Sequence, residues 1–200
     1  MIMLTEFKKY IEKHNLIEKG DKILLALSGG VDSMVLAKLL LAVSRQLSAN
    51  SQLFFAHCNF HLRGEDSNRD ERFVTEFAKE NGIELFVKHF DTEAYAKENS
   101  LSIEMAAREL RYSWFEELKN IHNINKVALA HHGDDQIETF FINFLRGSGI
   151  KGLKGMKAQN GFYIRPLLWS NRNQIETYAK ENGIQWVEDY TNNETIYLRN

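Results

Sequence analysis

Six consecutive residues, Ser28-Gly29-Gly30-Val31-Asp32-Ser33, join an apolar run, Ile23–Leu27, to a helical pattern over Asp32–Leu47. Strand, glycine turn and helix in that order suit a polyphosphate. Free backbone N–H groups at a helix start point outward, and the helix dipole adds partial positive charge there. Glycines let the main chain approach phosphate oxygens, and the hydroxyls of Ser28 and Ser33 add donors. Asp32 is the exception, because a carboxylate beside phosphates repels them. A divalent cation between the two removes the repulsion, so Asp32 is assigned to magnesium. A capped glycine turn would explain Asp32 or Ser33 singly, but not the whole hexapeptide.

A second constellation, His131-His132-Gly133-Asp134-Asp135-Gln136-Ile137-Glu138-Thr139, follows the apolar run Lys126–Ala130. With a helix starting near Gly133, Asp134 and Glu138 stand at i,i+4, and Asp135 and Glu138 at i,i+3. Carboxylates grouped at a strand end can grip an ammonium group, hold magnesium, or take a proton from an amine. Helix capping accounts for Asp134 alone. Paired histidines can signal zinc, but no third ligand stands at metal-site spacing. In a third patch, Glu104 to Tyr112, Arg108 and Arg111 share a helix face, with Glu104 a turn earlier. Alone, such a cluster is most often a surface ion pair worth ~0.3–0.5 kcal/mol.

Charge is distributed unevenly. The net charge is −2, yet no acidic residue lies between Glu138 and Glu176, where Arg146, Lys151, Lys154, Lys157, Arg165 and Arg172 gather. Such a segment beside phosphate chemistry suits a polyanion, although a solvated loop has the same composition. Two nucleotide motifs are excluded. There is no Gly-x-x-x-x-Gly-Lys-Ser/Thr, so γ-phosphate chemistry of that kind has no support. Gly147-Ser148-Gly149-Ile150-Lys151-Gly152 matches a dinucleotide fingerprint by letter, but it follows the helical pattern Asp134–Leu145 and no strand enters it.

The elements that must position these groups alternate along the chain. Ile23–Leu27, Leu53–His57, Ile83–Phe90 and Lys126–Ala130 are strand candidates, with a further one at Phe162–Arg165. Between them, Asp32–Leu47, Ser67–Asn81 and Ser102–Ile121 repeat apolar residues at helical spacing. Gly82 and Gly183 mark helix stops. The order predicts an α/β fold with a mostly parallel open sheet and helices on both faces. Two hundred residues can bury such a core without disulfides, and one cysteine, Cys58, rules out an internal disulfide and a Cys-rich zinc site. Residues 1–20 mix charges into an amphipathic helix, unlike a signal peptide. No apolar run approaches the ~20 residues that span a bilayer, so no membrane partner is expected and the cytoplasm is the expected location.

Ser-Gly-Gly-Val-Asp-Ser after a strand resembles the pyrophosphate loop (PP-loop) of the N-type ATP pyrophosphatase superfamily, whose members cleave ATP between the α and β phosphates and adenylate a carbonyl-type oxygen. The other segments narrow the likeness. Ala106-Ala107-Arg108 with Arg111-Tyr112, His131 through Thr139, Leu145-Arg146-Gly147-Ser148-Gly149 through Met156, Arg165-Pro166-Leu167-Leu168, and the closing Glu188-Asp189 and Tyr197-Leu198-Arg199-Asn200 are similar to the tRNA(Ile)-lysidine synthetase family. That resemblance covers nearly the whole chain. It implies ATP and Mg²⁺ as cofactors, and a tRNA(Ile) with a CAU anticodon and free L-lysine as partners.

The implied reaction has two steps: O2 of the wobble cytidine attacks the α-phosphate of ATP and pyrophosphate leaves, then the ε-amine of lysine attacks C2 and AMP leaves. On this reading Ser28, Gly29, Gly30, Val31, Asp32 and Ser33 bind ATP. Asp135 and Glu138 bind lysine and help strip its proton, with His131 nearby, and Arg108 neutralises phosphate or adenylate. Residues 1–200 would form one catalytic domain whose late part, about 146–200, faces tRNA through Arg146, Lys151, Lys154 and Lys157, with further C-terminal domains belonging to full-length relatives.

One departure concerns Asn59-Phe60-His61-Leu62-Arg63, where the family's histidine stands one place earlier, so His61 receives no role. Two other readings remain. A tRNA thiolase of the same superfamily generally needs a cysteine pair or an iron–sulfur site, which Cys58 alone cannot provide. A non-catalytic ATP-binding module would need neither the carboxylate pair nor the cationic segment. That segment has its own test in tRNA binding across a salt series. Replacing Lys151, Lys154 and Lys157 together with Ala should lower affinity and flatten the log–log slope by roughly two to three units, leaving ATP affinity nearly unchanged. An unchanged slope would make the segment an ordinary solvated loop.

Overall fold

Residues of the first strand, β1 (Lys22–Ala26), divide between two apolar layers: Ile23 and Leu25 join one core, and Leu24 joins the other. That division is what a strand buried on both faces requires. The structure, a computed structural model, describes residues 2–44, 52–145 and 155–188. β1 is flanked on one side by β2 (Gln52–Asn59) and then β3 (Glu84–His89). On its other side lie β4 (Lys126–Ala128), β6 (Tyr163–Ile164) and β5 (Gln159–Asn160). The sheet order is β3-β2-β1-β4-β6-β5, parallel throughout except for the antiparallel edge strand β5. The expected open, mostly parallel sheet is therefore observed.

Helices cover both faces. α1 (Ile2–Lys13), α2 (Val31–Ser44), α3 (Glu65–Asn81) and α7 (Arg172–Glu181) bury apolar residues in the layer that contains Ile23 and Leu25. α2 is apolar nearly all round, and most of its residues are buried, as such a helix must be. α5 (Ile103–His122) covers the opposite face with Trp114, Phe115 and Leu118. α4 (Thr92–Glu98) precedes it, and α6 (Gly133–Leu145) follows β4. No helix among the described residues is long and apolar enough to cross a membrane.

Three elements were not anticipated. α4 is short and is started by Asp91, whose side chain accepts from the Ala94 N–H at 3.1 Å. At α7 a full capping box forms between Asn171 and Gln174, so the helix stop before Gly183 has a start to match. The two-residue strand β5 is held only by its antiparallel partner β6. β4 is also shorter than its apolar run. Leu129 still donates to the Ile164 carbonyl at 2.9 Å, but Pro166 has no N–H to continue the ladder, and the strands meet again only at the His132–Leu167 bridge.

Chain order reverses at β1. β2 and β3 lie to one side, β4 and β6 to the other, and the loops leaving β1 and β4 diverge at their carboxyl ends. In open α/β sheets that crevice is where ligands bind. The glycine that starts the first loop is sterically specified. Gly29 has φ +92°, and a Cβ there would sit 2.8 Å from Val187 Cγ2 and 3.3 Å from Val74 Cγ1. Both neighbours are β-branched and cannot swing away easily. Gly29→Ala should therefore lower the unfolding free energy by about 2 kcal/mol, from φ strain plus overpacking, measured by urea denaturation. An unchanged midpoint would mean that the loop can adopt another backbone without cost.

Candidate active site

The loop after β1 is organised by Ser33. Its buried hydroxyl accepts from the N–H groups of Ser28 (3.3 Å) and Gly29 (3.2 Å) and donates to the Gly30 carbonyl at 2.9 Å. Ser28 Oγ donates to Ser33 Oγ at 3.1 Å and accepts from the Gly30 N–H at 3.3 Å. The amides of the turn thus converge on two serine hydroxyl oxygens, acceptors that phosphate oxygens can replace. Val31 is buried in the core and offers only its backbone.

Asp32 faces the cleft from the first turn of α2. Oδ2 accepts from Arg172 at 2.7 Å, whereas Oδ1 is buried without a hydrogen-bond partner. Burial pushes its carboxyl above the usual carboxylate range, opposed by the nearby charges of Arg172 and His132. Among the described residues no group of three His, Cys, Asp or Glu could hold a metal by itself. One orphaned carboxylate oxygen next to a phosphate cradle fits magnesium all the same. That ion binds through one or two carboxylates and completes its shell with phosphate oxygens and water.

The segment after β4 closes on the same space. The His132 ring is buried between three carboxylates, its Nε2 3.7 Å from Asp32 Oδ1 and 3.6 Å from Asp135 Oδ2, its Nδ1 3.8 Å from Asp134 Oδ2. It is the link between the two motifs, and the sequence reading gave it no role of its own. Asp135 Oδ2 accepts from the His132 N–H at 2.8 Å, the reach-back of a residue at the third helical position, so Asp135 both caps α6 and lines the cleft. Gly133 is also sterically required, because a Cβ there would sit 2.9 Å from the Ser170 carbonyl to which its N–H donates at 2.6 Å. Asp134 accepts from the Arg172 N–H at 2.8 Å. Glu138 is exposed on α6, outside the cleft lining.

His131 lines the cleft beside Ser28 and Asp32. Its Nδ1 accepts from Arg165 Nε at 3.3 Å. Burial and then the positive charge of Arg165, with smaller contributions from Arg108 and Arg111, depress the imidazole to about 4. It is neutral at pH 7, and with Nδ1 engaged as an acceptor its proton is on Nε2. The ring is arranged to donate a hydrogen bond and not to take a proton.

On α5 it is Arg111, one turn on from Arg108, that lines the cleft, and its guanidinium lies 5.3 Å from the Phe60 ring centroid. Arg108 is exposed, 4.8 Å from the Tyr112 ring centroid, and reaches the site through its field on His131. Cys58 lies in the cleft wall, and burial pushes its thiol up to about 12 against the pull of Arg111, so it stays a thiol. The cleft holds about 300 Å³ and adjoins a second cavity of about 400 Å³ that continues past His57, Asn59 and Arg63. Spaces of this size suit a nucleotide-sized ligand.

Of the cationic segment, Lys157 is exposed and its carbonyl accepts from Arg165 at 3.1 Å. Arg146, Lys151 and Lys154 lie outside the described residues, as do the Gly147–Gly152 loop and the motif at 197–200. Arg165 and Arg172, read from sequence as members of that segment and given no role in the cleft, hold His131 and Asp32.

The PP-loop domain family matches residues 2–200. A tRNA(Ile)-lysidine synthase of Bacteroides thetaiotaomicron is 50% identical over 192 residues, which make up 96% of this chain and 44% of that protein. Its counterpart in Thermosipho africanus is 46% identical over 200 residues, 100% of this chain and 46% of that protein. This chain therefore spans under half the length of these two relatives. The U34-tRNA thiolase NcsA of Methanococcus maripaludis, solved with its 4Fe–4S cluster, superposes with a TM-score of 0.75 at 20% identity, covering 92% of this chain and 65% of that one. At that identity the likeness concerns the fold alone.

The neutral His131 has a consequence for stability. An unfolded chain protonates histidine near 6.5, whereas the folded one resists until about 4. The unfolded state thus binds more protons between these values, and stability falls as pH drops from 6.5 towards 4. His131→Asn should remove about 2 to 3 kcal/mol of that decline, measured by urea unfolding at pH 7, 5.5 and 4.5. Parallel pH profiles for variant and wild type would place the imidazole in a solvated setting instead.

Proposed function

This chain belongs to the PP-loop domain family, and from that premise we propose that it catalyses ATP-dependent ligation of lysine to C2 of a tRNA(Ile) wobble cytidine through an adenylated intermediate. The observation that carries the reading is the meeting of two loops in one cleft: the Ser28–Ser33 cradle for phosphates and the His131–Asp135 segment with its carboxylates. Lysidine synthases 50% and 46% identical over nearly all of this chain support the choice of reaction. The CAU anticodon and free lysine belong to the same proposal.

In the first step O2 of the cytosine bonds to the α-phosphorus of ATP as the bond to pyrophosphate breaks. The amides of Ser28, Gly29 and Gly30 rest on the Ser33 and Ser28 hydroxyls until phosphate oxygens replace these acceptors and draw the amides to the charge that the leaving group gains, and Arg111, in the cleft wall, can neutralise the adenylate, with the exposed Arg108 one turn away on α5. Asp32 would hold magnesium, which when bound supplies charge neutralisation at the phosphates. His131 Nε2–H is available to a phosphate or carbonyl oxygen. In the second step the lysine ε-amine bonds to C2, the C2–O bond breaks and AMP departs. The attacking nitrogen must lose protons, and a carboxylate is the group to take them. Asp135 lines the cleft and Glu138 stands one turn further along α6, so the pair can bind the ammonium and accept its proton.

Sulfur transfer is the weaker reading. Cys58 is the one cysteine in the sequence, and its thiol, pushed up to about 12, is a poor nucleophile at pH 7.

ATP–pyrophosphate exchange should depend on tRNA, and label from lysine should then enter the RNA. Glu138→Gln should still accumulate adenylated tRNA while lysine transfer falls by 10²-fold or more, the range for losing a general base. If exchange is lost together with transfer, Glu138 serves ATP or magnesium instead. Exchange that ignores tRNA would remove the RNA from the reading.

A further inference from the structure

Arg172 lies outside the cleft lining but grips one of its residues, Asp32, a role that nothing in its sequence neighbourhood announces. It opens α7, a helix whose start is secured independently by the Asn171–Gln174 capping box. Its backbone N–H donates to Asp134 Oδ2 at 2.8 Å, its Nε to Glu176 Oε1 at 2.7 Å, and its Nη1 to Asp32 Oδ2 at 2.7 Å. One residue therefore joins the first turn of α2, 140 positions away, to the first turn of α6, 38 positions away. A purely structural clamp would be expected to satisfy the carboxylate it grips. Here Oδ1 of the same carboxylate is left buried without a hydrogen bond, its near neighbour being His132 Nε2 at 3.7 Å.

Charge explains the arrangement. A polyphosphate entering the cradle meets Asp32, with Asp134, Asp135 and Glu176 behind it. A divalent cation arriving with the nucleotide neutralises Asp32, but before it arrives some other positive group must do so. We propose that Arg172 is the resident counter-cation of Asp32, competing with the divalent cation for that carboxylate and keeping the cradle receptive to polyphosphate until the cation binds. Arg172 is thus a positioning residue. The proposal rests on the nucleotide reading of the cleft.

Competition makes two opposite effects follow from one substitution. Arg172→Gln keeps the backbone N–H and the helix start but removes the charge. In this variant Mn²⁺ alone should bind more tightly, roughly tenfold, because its carboxylate no longer has a rival. ATP in EDTA should bind roughly tenfold more weakly, because Asp32 is no longer neutralised. With saturating Mg²⁺ the loss in ATP affinity should shrink to within about threefold, and Arg172→Lys should lie between variant and wild type throughout. All of these are equilibrium measurements by calorimetry or dialysis on the 200-residue protein. In an Asp32→Asn background, Arg172→Gln should change neither affinity, which closes a double-mutant cycle.

A structural role would lower all affinities together and would survive removal of Asp32. Weaker Mn²⁺ binding in Arg172→Gln, an equal ATP loss with and without Mg²⁺, or the same loss in the Asp32→Asn background overturns the proposal and leaves the nucleotide reading intact. Failure of the wild type to bind ATP at all overturns both.

Discussion

Parallel pairing of β1 with β4 sets the distance between the two loops on which everything else depends. Leu25 stands opposite Ala128, and Ala26 opposite Ala56 on the other side. Followed along the strands, that register brings Ser28 level with His131 and with Cys58, on neighbours about 4.8 Å apart. A slip of one residue in β4 would turn His131 out of the cleft and His132 into it, since strand neighbours face opposite ways. The pairing is short, covering Ile23–Lys126 to Leu25–Ala128, and it is protected by burial: Leu24, Leu25, Val127 and Ala128 are all fully buried. Neither layer of the core could tolerate the slip, because each expects its own half of β1.

Onto that frame the cleft adds more charge than its own groups balance. Asp32, Asp134 and Asp135 surround one imidazole, and Arg172 grips the first of them. A unit charge 4 Å away is worth ~4 kcal/mol at the effective dielectric of a protein surface, less where water screens it. Yet burial remains the largest influence on Asp32, and it raises the carboxyl against both cationic neighbours. Added positive charge at Oδ1 is therefore stabilising, and added negative charge is not. A few ångströms away the balance reverses. Burial first, and then the charges of Arg165, Arg108 and Arg111, keep His131 uncharged. The cleft thus has a cation-seeking end at α2 and an anion-seeking wall along α5 and β6, a division suited to a nucleotide held by its phosphates at one end.

Much of this was legible from the residues themselves. Alternation of apolar runs and helical patterns identified five of the six strands, and the hexapeptide marked the turn between β1 and α2, because both are local signals of spacing and residue type. What escaped was long-range. Arg165 and Arg172 read as members of a cationic segment suited to a polyanion, since nothing within a few residues of either is acidic until Glu176. Their partners, His131 and Asp32, stand 34 and 140 positions away. On α5 both arginines were visible, but which of two residues on one helix face reaches the cleft depends on how the helix is rotated over the sheet, and tertiary packing decides that. Asp135 shows the opposite problem. Its place beside the cleft was anticipated from spacing, while its capping of α6 through the His132 N–H became visible only once the helix start was known.

The same dependence on distant residues extends to the cradle. Gly29 needs a positive φ to turn the chain between β1 and α2, but a turn alone leaves open how its amides are aimed. Val187 resolves this: its N–H donates to the Gly29 carbonyl at 3.0 Å while its side chain packs where a Cβ of residue 29 would be. One contact fixes the direction of the carbonyl, and with it the opposite-pointing amide of the next residue, Gly30, which Ser28 Oγ already receives. The segment carrying Val187 is itself anchored by Ile184, buried in the core that α2 and α7 share. The glycine loop is therefore built by three stretches in succession. β1 delivers it, Ser33 gathers its donors, and the chain after α7 holds its backbone in one orientation.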